Sequence, residues 1–268
     1  MAASITANRV AALREQYKDG SNLRARMRLH ERFGVNHYGF FRWEFDQIKL
    51  PDNVALLELG AGTAAMWAQN AGRIPTGWRI TLSDFSAGML REGGRELAVA
   101  SRRFDLANAD AQALPFRDAA FDAVIANYML YHVPDIPRAI REIRRVLKPG
   151  GTCYAATMSR RNLHEFHRIV RRFIPNARIG RAAFRFGLES GFDHLRAVFP
   201  SVRIERYPDE LIVTETQPMM DYVNSMSSMR AIGTGEEREA LRRHLDAELA
   251  ANGAIRITRD SGVLIALK

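Results

Sequence analysis

Cysteine is almost missing: across 268 residues, Cys153 carries the one thiol. A lone thiol excludes internal disulfides, cysteine-clustered zinc sites and two-cysteine redox chemistry. It points to a reducing, cytoplasm-like compartment. Long apolar runs are missing too. None reaches the roughly 18 residues that a membrane-crossing helix needs. The opening MAASITANRVAALREQYKDG has no apolar segment of the kind that marks a secretory signal. Lysine is scarce, limited to Lys18, Lys49, Lys148 and Lys268, so the net charge of +9 is carried by arginine. Arginines gather at Arg24/Arg26/Arg28, at Arg141/Arg144/Arg145 and between Arg160 and Arg185, with no basic tail and no Arg-Gly-Gly run. A solvated, arginine-biased surface accounts for this better than a nucleic-acid footprint. There is no internal repeat or low-complexity stretch. The length allows one large domain or two small ones, with a core that needs no staples.

What is present has a rhythm. Val54–Leu59 (VALLEL), Arg79–Leu82 (RITL), Phe104–Ala109, Phe121–Ala126 (FDAVIA) and Gly151–Thr157 (GTCYAAT) are short apolar runs closed by turn residues. Such runs suit strands buried on both faces. Helical patterns lie between them. Thr63–Ala71 is rich in alanine, and Ser86–Ala100 begins with a residue suited to an N-cap. Asp135–Leu147 places Ile136, Ile140, Ile143 and Leu147 on one stripe, and Lys148-Pro149-Gly150-Gly151 ends it. The alternation predicts an α/β fold with a mostly parallel sheet.

The flanks read differently. Residues 1–50 read as a helical cap rich in aromatics, among them Tyr17, Tyr38, Phe40, Trp43 and Phe45. Residues 51–268 read as one α/β domain with a helical insertion around 160–250. Gln217–Arg230 carries a methionine stripe that suits a helix's core face. Val202–Tyr207 and Leu211–Thr214 read as two short strands around Pro208. Ala254–Thr258 and Val263–Leu267 read as a hairpin turning at Asp260–Gly262.

The sharpest local signal is LELGAGTA, an apolar strand that runs through Gly60-Ala61-Gly62 into a helix. Glycines allow a tight turn and close approach of a ligand to the main chain. A dinucleotide fingerprint asks for a third small residue at position 65, where Ala65 stands, so the loop alone decides nothing. Glu58 says more. A carboxylate at the end of the first strand repels a pyrophosphate and can orient an ammonium, although a capping or salt-bridging role is also open. Asp84 ends the second strand at a spacing suited to a ribose diol. Asp110 ends the third, and Asn127 ends the fourth, with His132 just beyond.

Taken in register, LLELGAGTA (56–64), ITLSDFSAGML (80–90), ANADAQALPF (107–116), FDAVIANYMLYHVPD (121–135) and AIREIRRVLKPGG (139–151) resemble the class I S-adenosylmethionine (SAM)-dependent methyltransferases. The similarity lies with the small-molecule branch that includes the ubiquinone/menaquinone enzymes, and it covers roughly residues 52–158. The resemblance implies a Rossmann-like seven-stranded sheet of order 3-2-1-4-5-7-6 with the last strand antiparallel and helices on both faces. It implies SAM as cofactor, S-adenosylhomocysteine as product, and a small organic metabolite methylated on O, N or C. Gly60, Ala61 and Gly62 would line the methionine part, with Glu58 near its ammonium. Asp84 would hold the ribose hydroxyls, and Phe85 would pack on adenine beside Met89. Asp110 and Ala111, with Gln112, would face the adenine edge, and Asn127 would lie below the methionine. Tyr17 and Tyr38 are the lid candidates, Tyr17 being counted with the cofactor contacts.

His132 is the candidate general base, since its ordinary pKa lies near neutrality. A loop histidine that only shapes the pocket is the competing reading. No histidine spacing calls for a metal. Competing functions on the same residues are an RNA methyltransferase, an NAD-dependent oxidoreductase and a non-catalytic SAM-binding protein. Oligomeric state is not legible in the residues.

Overall fold

The computed structural model describes residues 20–99, 102–177, 179–226 and 233–268. In chain order the helices and strands begin with α1 (Ser21–Phe33), α2 (Phe40–Gln47), β1 (Ala55–Leu59), α3 (Ala65–Gln69), β2 (Arg79–Asp84) and α4 (Ala87–Glu96). Then follow β3 (Asp105–Asn108), β4 (Phe121–Ala126), α5 (Ile136–Val146), β5 (Leu147–Met158) and α6 (His164–Phe173). The chain closes with α7 (Ala182–Phe186), α8 (Leu188–Arg196), β6 (Ser201–Val213), α9 (Thr216–Asn224), α10 (Gly235–Asn252) and β7 (Ile255–Leu267). The seven strands form one sheet of order β3-β2-β1-β4-β5-β7-β6. Neighbours among β1 to β5 pair parallel, and β7 pairs antiparallel with β5. This is the α/β architecture and strand order that the resemblance implies.

Compactness divides the chain into two units. One comprises the chain up to Gly39, Arg160–Arg181 and Pro208–Asp260; the other comprises Phe40–Ser159, Ala182–Tyr207 and Ser261–Lys268. The larger holds most of the sheet and two apolar clusters. Side chains alternate across a strand, so Leu57 and Leu59 join Val124, Ile140 and Ile143 in one cluster, while Leu56 joins Ile80, Leu82, Ile125 and Trp67 in the other. Both faces being covered explains why β1 and β4 read as unbroken apolar runs. Asp135 caps α5 by accepting the Arg138 N–H at 3.0 Å. The stripe of α5 is fully buried at Ile140 and Ile143, although Leu147, read as its last member, opens β5 instead.

Aromatics of α2 also belong to this unit. Phe40 meets Tyr128 and Tyr207 at 5.5 and 5.3 Å between ring centres, and Phe45 meets Trp78 at 5.8 Å. The smaller unit has its own core, in which Leu29, Phe166, Val170, Met219, Met220, Val223, Leu241 and Leu245 are buried together. The methionine stripe is thus core there. Its helix ends at Asn224, and Met229 lies outside the described residues.

Two readings near the C-terminus are corrected. Residues 201–213 form one strand that runs through Pro208 rather than two strands broken by it. A proline lacks only its N–H, and β6 is at the sheet edge, where that loss is tolerated. Residues 255–267 likewise form one strand, with no hairpin at Asp260–Gly262. The N–H groups of Thr258 and Asp260 donate to Glu165 Oε2 and Asn162 Oδ1 at 2.9 and 3.0 Å, so no local turn bond forms. Gly262 serves closeness rather than turning: a Cβ there would lie 2.3 Å from the Glu205 carbonyl oxygen.

Candidate cofactor and active site

The candidate residues gather in the larger unit, beyond the C-terminal ends of β1, β2, β3 and β4. Leaving β1, the chain turns through Gly60 at φ +66°, Gly62 at φ +57° and Ala64 at φ +56°. Glycine meets the first two without strain. Room is short as well, because a Cβ on Gly60 would lie 2.7 Å from Met129 Cβ. The loop is closed by its own donors. Ala61 N–H donates to Ser83 O at 2.9 Å, and Gly62 N–H donates to Asp84 Oδ2 at 3.0 Å. The close packing that a third glycine would supply comes from Gly93 on α4, where a Cβ would lie 2.8 Å from Gly62 O.

Asp84 Oδ1 also accepts the Ser86 N–H at 2.8 Å. A carboxylate offers about four acceptor positions, so about two remain for a diol. Burial raises its pKa, against the two backbone donors. Phe85 and Ala111 follow their strand ends, Phe85 half-buried and Ala111 buried. Met89 is fully buried, with its N–H capped by Ser86 Oγ at 3.3 Å. Asp110 spends both oxygens on the Gln112 amide, at 3.0 and 3.1 Å, and Gln112 Oε1 accepts the Asp135 N–H at 3.0 Å. Gln112 therefore ties the loop after β3 to the start of α5. Tyr17 lies outside the described residues, and Tyr38 is exposed.

Glu58 is buried. Its Oε2 accepts from Trp67 Nε1 at 2.5 Å and its Oε1 from Asn127 Nδ2 at 3.3 Å. Burial pushes its pKa up to about 8, opposed by those two donors and reinforced by the Asp84 charge. Asn127 Oδ1 is buried without a partner. The next residue, Tyr128, holds φ +51° and anchors its N–H on Ala156 O at 2.9 Å. His132 ends a single turn of tight helix, Leu130–His132, with its ring 4.5 Å from that of Tyr131. Arg185 on α7 grips this loop by donating to the carbonyls of Tyr131, Val133 and Pro134.

Trp67, Gly93, Arg185 and Glu44 escaped the sequence reading. Only Glu44 left a signal. Phe40, Glu44 and Ile48 follow a helical stripe, and all three are buried. An acid on an apolar stripe marks a buried charge that needs a reason.

A family description, "Methyltransferase domain", matches residues 57–155. A demethylmenaquinone methyltransferase of Clavibacter sepedonicus is 41% identical over 96 residues, 36% of this chain and 38% of that protein. The ubiquinone/menaquinone biosynthesis C-methyltransferase UbiE of Xylella fastidiosa (strain M23) is 33% identical over 179 residues, 60% of this chain and 68% of that protein. The chain belongs to the class I SAM-dependent methyltransferases. The YcgJ protein of Bacillus, a solved structure, shares this fold at TM-score 0.60 and 16% identity, over 85% of this chain and 97% of that one. The matched part of the chain is the sheet-bearing segment with the glycine loop and the ends of β2, β3 and β4. The match spans well under the whole length of the curated relatives.

The residues fit the family's cofactor. The N–H groups of Ala61, Gly62 and Ala64, which would cradle a pyrophosphate, are spent internally, and the carboxyl groups of Glu58 and Asp84 stand beside them. A cation there is matched by ionisation of the buried Glu58 carboxyl, whereas an anion opposes it. Among the described residues no group of three His, Cys, Asp or Glu side chains is arranged to hold a metal, and no helix is long and apolar enough to cross a membrane.

Proposed function

We propose that this chain transfers a methyl group from SAM to an O, N or C atom of a small organic acceptor. The observation that carries the reading is the glycine loop, with its own N–H donors satisfied and two carboxylates at its rim. SAM, when bound, supplies an electrophilic sulfonium methyl group. The protein's part is to orient, exclude water and handle a proton. Gly60 to Gly62 give main-chain access, and the spare acceptor positions of Asp84 take the ribose diol. Phe85 with Asp110, Ala111 and Gln112 borders the adenine, and Glu58 with Asn127 takes the amino-acid end. His132 accepts the acceptor's proton, and Arg185 holds the loop that presents it. The relatives' names make quinone-type ring carbons the first acceptors to screen. A cytoplasmic setting suits the single buried Cys153.

Calorimetric titration with S-adenosylhomocysteine, run beside NAD, tests the cofactor. Micromolar binding of the first alone is expected; binding of NAD alone would replace the reading with an oxidoreductase. Asp84→Ala should weaken S-adenosylhomocysteine by about 1–3 kcal/mol, the loss of a charged hydrogen-bond partner. Labelled-methyl transfer to a quinone and metabolite panel, with bulk RNA as the competing acceptor, then identifies the substrate class.

A further inference from the structure

We propose that Glu44 and Glu58 together form a two-carboxylate seat for the cofactor's α-ammonium group, and that the seat releases a proton to solvent when the ammonium arrives. This rests on the SAM reading above and adds to it a residue, Glu44, and a proton exchange.

The argument starts from unsatisfied groups. Glu44 is 1% exposed, and both its carboxylate oxygens are buried without a hydrogen-bond partner. Asn127 Oδ1, in the same cluster, is a third orphan acceptor. Buried polar atoms are nearly always satisfied, so each orphan needs a reason. Apart from the carboxyl protons themselves, the place offers three unsatisfied acceptors to incoming donors. An ammonium brings three N–H donors and a positive charge.

Among the described residues the surroundings supply no competing cation. Helix α2 carries Glu44 and packs on α3, where Asn70 Nδ2 donates to Phe41 O at 3.0 Å and Phe45 meets Trp67 at 6.4 Å between ring centres. From α3 comes the Trp67 indole N–H, from β1 Glu58, from the end of β4 the Asn127 amide, and from β2 the Asp84 charge. On α2 itself, Arg42 is exposed and Asp46 is paired with Arg73. Burial, then the neighbouring Glu58 charge, hold the Glu44 proton well above the usual carboxylate range, against the pull of the nearby Asn127 amide, whose geometry falls short of a hydrogen bond. Two carboxyl groups in one buried place resist ionising side by side, so both stay largely protonated until a cation arrives.

Charge balance then sets the exchange. Near pH 7.5 the free pair holds most of both protons and is close to neutral. An entering ammonium adds one positive charge; loss of one carboxyl proton to the buffer restores the net charge of the cluster. S-adenosylhomocysteine and SAM both carry this ammonium, and 5′-methylthioadenosine lacks it.

The test is titration calorimetry of the full chain near pH 7.5 in phosphate and in Tris, whose ionisation heats differ. The difference in observed heat counts the protons exchanged. For S-adenosylhomocysteine, release of roughly half to one proton is expected, and for 5′-methylthioadenosine none. In Glu44→Gln the release should fall to less than about half of the wild-type value. That variant should also bind S-adenosylhomocysteine about 10- to 100-fold more weakly, with 5′-methylthioadenosine within about twofold of wild type. A purely structural role for Glu44 would weaken both ligands alike and overturns the proposal. So does S-adenosylhomocysteine binding with no proton release, or equal release for the two ligands, which leaves the cofactor reading intact. The wild-type comparison of the two ligands decides the matter even if Glu44→Gln fails to fold. Failure of both ligands to bind overturns the cofactor reading and this proposal together.

Discussion

Replacing Glu58 by Gln should change how stability depends on pH. In the folded protein burial moves this carboxyl from 4.5 up to about 8. Between those values the folded state holds a proton that the unfolded chain has lost. Stability from this group is therefore fully present below about pH 4.5 and is lost as pH rises through about 8. Each proton bound differently is worth about 1.4 kcal/mol per pH unit, so the full interval of roughly 3.5 units sets a ceiling of about 5 kcal/mol. Glu44 titrates with it, and removal of the Glu58 charge eases Glu44 toward its ordinary range. The imidazoles of His30 and His167 act the other way: burial lowers them to about 3 and about 4, so they weaken the fold as pH falls below their ordinary 6.5. The wild-type curve is a sum of these, and the difference between wild type and Glu58→Gln separates the Glu58–Glu44 pair from the histidines. Urea unfolding at about pH 5, 6, 7 and 8 should show the variant gaining on wild type by about 2–5 kcal/mol across the range. Gln keeps the Trp67 bond, so a pH-independent offset is absorbed by the comparison. A constant difference at every pH would refute the buried, protonated carboxyl.

Gly60→Ala should destabilise the fold by about 1–3 kcal/mol, from left-handed strain plus the Met129 contact; unchanged unfolding would show that the loop relaxes freely. Ile140→Ala empties a fully buried position on α5 and should cost about 2–5 kcal/mol in urea unfolding. His132→Ala should remove the acid limb of the pH–rate profile once an acceptor is known, and an unaltered profile would exclude His132 as the base.

The sheet was legible because its central strands are covered on both faces. Solvation leaves no alternation in such strands, so VALLEL and FDAVIA stand out as plain runs. Asp84, Gly60 and Gly62 were legible because sharp turns and strand-end carboxylates limit residue choice. Pro208 and Gly262 misled for one reason: each marks a turn in isolation, and each is tolerated in a strand once a sheet edge or a close neighbouring backbone is supplied. That neighbour lies far away in sequence.

By itself, then, the chain's order of residues determined the α/β alternation, the strand-to-loop glycines and the acids at successive strand ends. These are local properties, written in periodicity and backbone freedom. Tertiary structure alone decided the rest. It brought Glu44 from a helix before the sheet close to Glu58 and Asn127, and set Gly93 against Gly62. It also used Arg185 to clamp the loop of His132. Each of those depends on distance in space between residues remote in sequence, and burial then gives ordinary side chains their unusual charge behaviour.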